Sequence, residues 1–276
     1  MRLDAHQHFW SLARGDYGWL TPELTALYHD FLPDDLSPSL KKWGIDGTIL
    51  VQAAPTTAET KFMLSLAAET PFIKGVVGWV DFDAIDAPAQ LDQLAQNPHL
   101  VGIRPMIQDI ADTNWMLNDQ FSPVFEALQH HDLVFDALTL PRHLKALHSL
   151  AKRHPDLRIV IDHGSKPPIS EGVLSDWAED MAALAQLENV HCKLSGLVTE
   201  AGADWSIEDL EPYVTHLLHS FGPARLIWGS DWPVCTLAAT YDTWMQSSER
   251  LLSGLSQGDR DAVFGANAMR LYNIRT

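Results

Sequence analysis

Eight short apolar runs, rich in β-branched residues, recur along the chain with helix-like segments between them, and this alternation limits the fold more than any other feature. They read "RLDAH" at 2–6, "GTILVQ" at 47–52, "IKGVVGWV" at 73–80, "LVGIRP" at 100–105, "LVFDAL" at 133–138, "RIVIDH" at 158–163, "VHCKLS" at 190–195 and "RLIWGSD" at 225–231. Such runs suit strands of a parallel sheet that is covered on both faces. Phe121, Val124, Phe125 and Leu128 keep the spacing of one buried helical stripe. Leu210, Tyr213, Val214 and Leu217 repeat it; Leu144, Leu147 and Ala151 follow it in part; Asn267 to Tyr272 reads as a short last helix. Eight strands alternating with helices over 276 residues predict one α/β domain, a (β/α)₈ barrel of TIM type spanning 1–276. An open doubly wound sheet is the alternative. It is disfavoured because no glycine-rich dinucleotide fingerprint follows the first strand.

In such a barrel the site forms where the strands end. The stretch "RLDAHQHFW" from Arg2 to Trp10 places Asp4, His6 and His8 at alternate positions, which in a regular strand share one face. The fourth strand ends in Arg104, the fifth in Asp136, the sixth in His163, the seventh in Lys193 and the eighth in Asp231. A buried charge is costly unless paired or bound, so ionisable groups around one rim should face each other or a ligand. Structural roles compete for each. Arg104 and Asp136 could be a neighbouring ion pair, Lys193 a counter-ion, His163 a hydrogen-bonded core histidine, and Asp231 an N-cap. Trp10, Trp79 and Trp232 stand beside these residues. The long segment from Ser11 to Pro33, carrying Tyr17, Trp19 and Tyr28, would lie at the barrel mouth, where such loops serve function. His130, His131, His143 and His148 are expected at the surface.

The net charge of −17 argues against nucleic-acid and anionic-membrane partners, which need a basic surface. Cys192 and Cys235 are too few for a disulfide framework. No secretory signal precedes the first strand and no apolar run nears the ~20 residues that span a bilayer, so a cytoplasmic location is expected. A homo-oligomer stays open.

The motifs "DAHQHFW" at 4–10, "GIRPMIQ" at 102–108, "VIDHGSKPPI" at 160–169, "CKLSGL" at 192–197 and "WGSDWPV" at 228–234 resemble the amidohydrolase superfamily in its own order, over nearly the whole chain. The resemblance is strongest to the sugar-acid lactonase branch that includes L-fuconolactonase and L-rhamnonolactonase. It implies hydrolysis of a sugar aldonolactone to the open acid. Asp231 would be the general base, and His6, His8 and His163 would polarise the carbonyl. Arg104, Lys193 and Asp136 would bind substrate, and Trp10, Trp79 or Trp232 would pack on the sugar. Two-metal members carry a bridging lysine or glutamate and a further histidine where Arg104 and Asp136 stand, so a binuclear centre is not expected. His6, His8, His163 and Asp231 could hold one Zn²⁺ or form a metal-free site. Dicarboxylate lactonases of the pyrone or muconolactone type, zinc-dependent decarboxylases of the same superfamily and a non-catalytic sugar-binding barrel are the alternatives.

Overall fold

The computed structural model describes residues 1–274. All eight expected strands form: β1 (Leu3–Gln7), β2 (Gly47–Val51), β3 (Ile73–Gly78), β4 (Leu100–Ile103), β5 (Val134–Ala137), β6 (Ile159–Ile161), β7 (Val190–Leu194) and β8 (Leu226–Trp228). They are parallel and pair in sequence order. Backbone bonds from Asp231 N to the His6 carbonyl and from His8 N to the Trp232 carbonyl, both 2.7 Å, close the barrel. The helices are α1 (Pro33–Trp43), α2 (Thr57–Glu69), α3 (Ala87–Leu94), α4 (Ser122–His130), α5 (Leu144–Arg153), α6 (Ser175–Ala185), α7 (Leu197–Ala201), α8 (Ile207–Phe221), α9 (Tyr241–Leu251), α10 (Gln257–Asp261) and α11 (Asn267–Leu271). Among the described residues no helix is long and apolar enough to cross a membrane.

Strand parity sorts the apolar residues into two layers. Leu3, Ala5, Ile49, Val51, Val77 and Val160 belong to the cluster inside the barrel, where Leu271 and Tyr272 also pack. Residues of the other parity, such as Leu50, Val76, Phe135, Ile159 and Leu194, join the cluster shared with the helices. β6 and β8 end earlier than the apolar runs suggest. Beyond them the chain turns through left-handed conformations at His163 (φ 54°) and Asp231 (φ 58°), which end the ladder and present these side chains from turns.

Two expectations are corrected here. Asp4 does not share a face with His6 and His8. The β1–β2 register slips between Asp4 and Gln7, and such a bulge reverses which residues face inward. Asp4 is fully buried between strand and helix. It accepts from Ser230 N at 2.8 Å and from the Tyr241 hydroxyl of α9 at 3.2 Å. His143 is buried rather than superficial, its Nδ1 accepting from Leu140 N at 3.0 Å.

Candidate active site

The bulge turns His6 and His8 toward the barrel mouth, where Asp231 and His163 meet them. Asp231 Oδ1 lies 3.3 Å from His8 Nε2, 3.6 Å from His6 Nε2 and 3.9 Å from His163 Nε2. His8 Nδ1 donates to the Val51 carbonyl at 2.7 Å. His163 Nδ1 is 2.9 Å from Ser195 Oγ. The close approaches need glycine. A Cβ on Gly229 would lie 2.6 Å from His6 Cβ, and one on Gly196 would lie 2.4 Å from His163 Nδ1. His163, Lys166 and Asp231 all have positive φ. Such backbone costs on the order of 1–3 kcal/mol per residue and collects at functional sites.

Burial pushes the His163 imidazole down to about 4 and, with the Lys193 ammonium, holds His6 well below its ordinary value. Burial alone would raise the Asp231 carboxyl, but the imidazoles of His163, His8 and His6 outweigh it and hold it well below the usual carboxylate range. At neutral pH the site therefore presents one carboxylate to uncharged imidazoles at His6 and His163.

Beneath this layer lies a sealed ionic network. The Lys193 ammonium is 2.5 Å from Asp136, 2.9 Å from Asp162 and 3.2 Å from His6 Nδ1. Tyr272 donates to Asp136 at 2.7 Å. Lys193 and Asp136, expected at the rim from their strand-end positions, are fully buried and do not line the cavity. Their parity points them into the barrel below the rim. The partner of Arg104 is Asp162 at 3.2 Å, not Asp136. Arg104 does reach the cavity, held also by a bond from Nη2 to the Gln52 carbonyl. Asp162, next to His163 and absent from the strand-end set read from the sequence, joins this network through Arg104 and Lys193. Its signal was legible: Asp162 is two residues beyond Val160, which lies inside the barrel.

The cavity, about 240 Å³, opens over Asp231, His8 and His163. It lies just below the usual range of small-molecule sites, which begins near roughly 300 Å³. Its charged lining is two cations, Arg104 and Lys166, and two carboxylates, Asp109 and Asp231. Lys166 takes the place expected for Lys193, because the turn after β6 projects it over the rim. The tryptophan in the wall is Trp19, not Trp10, Trp79 or Trp232. Trp10 is fully buried, with its indole N–H on the His29 carbonyl at 2.8 Å and its ring against Trp19 and Phe31. Trp232 packs on Phe9 and Phe31. Trp79 is half-buried, its backbone tied to Thr60 Oγ1.

The donors suit one zinc ion. Ligand atoms of His6, His163 and Asp231 all lie within 4.8 Å of one another, and nitrogen and carboxylate ligands are those zinc takes. His8 Nε2 offers another lone pair. Asp162 Oδ1, held 2.9 Å from the Lys193 ammonium, stands 3.6 Å from His6 Nδ1, where it can orient a ligating imidazole. Without an ion these residues also contact one another: Lys193 donates to His6 Nδ1, and His6 Nε2 lies 3.2 Å from His8 Nε2. Among the described residues, Arg104 offers no bridging ligand for a second ion, because a guanidinium does not ligate a cation.

Residues 3–274 match the amidohydrolase family model. An L-fucono-1,5-lactonase of Burkholderia ambifaria is 48% identical, covering 99% of this chain and 96% of the relative. An L-fucono-1,5-lactonase of Burkholderia multivorans is 38% identical over the same shares. A crystal structure of an amidohydrolase from Burkholderia multivorans with bound zinc is 37% identical. It superposes over the full length of both chains with a TM-score of 0.94.

Proposed function

The chain belongs to the amidohydrolase family and is a lactonase, and on that premise we propose that it opens a neutral six-carbon L-sugar aldonolactone, of the L-fucono-1,5-lactone or L-rhamnonolactone type. The carrying observation is the charge balance of the cavity. Arg104 is already paired with Asp162, and Lys166 stands 4.0 Å from Glu200. Among the described residues that line the cavity, no surplus cation remains to replace the hydration of two substrate carboxylates. A neutral, hydroxyl-rich ring suits such a wall.

In the mechanism we infer, Asp231 takes a proton from the attacking water as its oxygen bonds to the lactone carbonyl. The carboxylate is ionised throughout the working range, so it is always in the accepting form. Donors at the rim, Arg104 and the imidazole of His163, face the charge that develops on the carbonyl oxygen, with His6 beneath them. The ring C–O bond then breaks, and Asp231 returns the proton to the leaving alkoxide, which gives the hydroxy acid and regenerates the carboxylate. Zinc, when held by His6, His163 and Asp231, would supply Lewis-acid polarisation at the same place.

The test is a side-by-side rate measurement on purified enzyme with a lactone panel and a pH indicator. The neutral L-sugar lactones are expected to exceed any pyrone or muconolactone dicarboxylate in kcat/KM by at least roughly tenfold, about 1.4 kcal/mol. A dicarboxylate that outruns every sugar lactone overturns the reading. Elemental analysis is expected to find at most one zinc per chain, with substantial activity retained after chelation. Two tightly held ions, or complete loss of activity that metal restores, would contradict this.

A further inference from the structure

Glu59 is a buried carboxylate that the proposed chemistry does not use. It sits in the first turn of α2, fully buried, away from the histidines. A carboxylate is not buried without partners, and its partners belong to the loop after β1. The Tyr17 hydroxyl donates to Glu59 Oε2 at 2.7 Å. The Arg14 guanidinium lies 3.4 Å from the same oxygen, and its Nε donates to the Tyr17 hydroxyl at 3.2 Å. Arg14 also pairs with Asp16 at 2.5 Å, and Thr56 donates to Asp16 at 3.3 Å.

The other Glu59 oxygen accepts from Ala53 N at 3.3 Å. The Ala53 carbonyl in turn accepts from the Trp19 indole N–H at 2.7 Å. Ala53 and Trp19 both line the cavity. A continuous set of contacts thus runs from Glu59 to the aromatic wall. The base of the loop is pinned separately by paired backbone bonds between Trp10 and Phe31. The segment between is held largely by side chains, and Trp19 itself is only half-buried.

We propose that Glu59, Tyr17 and Arg14 form a latch that positions Trp19 over the cavity, so that the loop over 11–31 is part of the substrate wall and Trp19 packs on the apolar face of the sugar ring. Trp19 contacts the substrate, and the three latch residues are positioning residues. The substrate half of this inference rests on the sugar-lactone reading; the latch itself does not. An indole supplies a large, rigid apolar face at small entropy cost, and its contact with the ring is alike in ground and transition states. Loss of Trp19 should therefore raise KM and leave kcat largely unchanged.

The experiment pairs steady-state kinetics on L-fucono-1,5-lactone with hydrogen exchange over residues 11–31. Trp19→Ala is expected to raise KM about tenfold or more, with kcat within about threefold, and Trp19→Phe to restore most of the loss. Tyr17→Phe removes one oxygen from the latch. It is expected to speed exchange in residues 11–31 with the strands unchanged, and to raise KM about three- to tenfold. Unchanged exchange in Tyr17→Phe overturns the latch. Faster exchange with an unchanged KM overturns its role in positioning Trp19, and an unchanged KM in Trp19→Ala overturns the contact. If the wild type opens no sugar lactone, the functional reading falls instead, and the exchange comparison still decides the latch.

Discussion

Asp231→Asn is expected to lower kcat by ~10²–10⁴, the usual scale for a positioned acid–base group. The amide keeps the shape of the side chain and can still contact His8, His6 and His163, but it cannot take a proton from water. The strained turn that presents it also remains, because asparagine tolerates a left-handed backbone as aspartate does. Folding should therefore be little changed, and KM should move less than kcat. Single-turnover and steady-state rates on the preferred lactone, with circular dichroism as a folding control, make the measurement. Wild-type turnover in folded Asp231→Asn would remove Asp231 from the mechanism.

Lys193→Ala is expected to act on stability. The ammonium is the cation closest to both Asp136 and Asp162, in a place with no solvent contact. Removing one partner of a buried pair leaves an uncompensated charge and costs about 3–5 kcal/mol. Burial already pushes the Asp136 carboxyl up to about 6 with the lysine present, so Asp136 has little tolerance for losing it. Urea unfolding of wild type and Lys193→Ala reads the loss. The double variant Lys193→Met with Asp136→Leu should recover much of it, since apolar groups of similar volume often replace a buried pair. If Lys193→Ala unfolds like the wild type but its KM rises, Lys193 reaches the substrate after all and the buried-network description fails.

The strand count, the alternation with helices and the barrel were legible because each rests on short-range patterning. Apolar β-branched runs and 3.6-residue stripes are local properties that the barrel merely satisfies together. The strand-end positions of His6, His8, Arg104, His163 and Asp231 were legible for the same reason. Depth and direction were not. Arg104 and Lys193 both read as strand-end residues, yet Arg104 lies one residue past β4 and lines the cavity, while Lys193 lies within β7 and is sealed below it. Strand parity and stagger around the barrel decide between them, and both are set by pairing across distant parts of the chain. The slip in β1 turned Asp4 away from the histidines, although a regular strand would have kept them together. Ten tryptophans gave no local cue to which one meets the cavity. Trp19 is chosen by Ala53 and the Glu59–Tyr17 contact, 34 and 42 residues away in sequence from their partners. The sequence alone determined the barrel and the kinds of group at its mouth, because helix and strand periods are written residue by residue. Only the tertiary structure decided which of those groups face the cavity and which neutralise one another beneath it, because burial and charge pairing depend on neighbours brought together by the closed barrel.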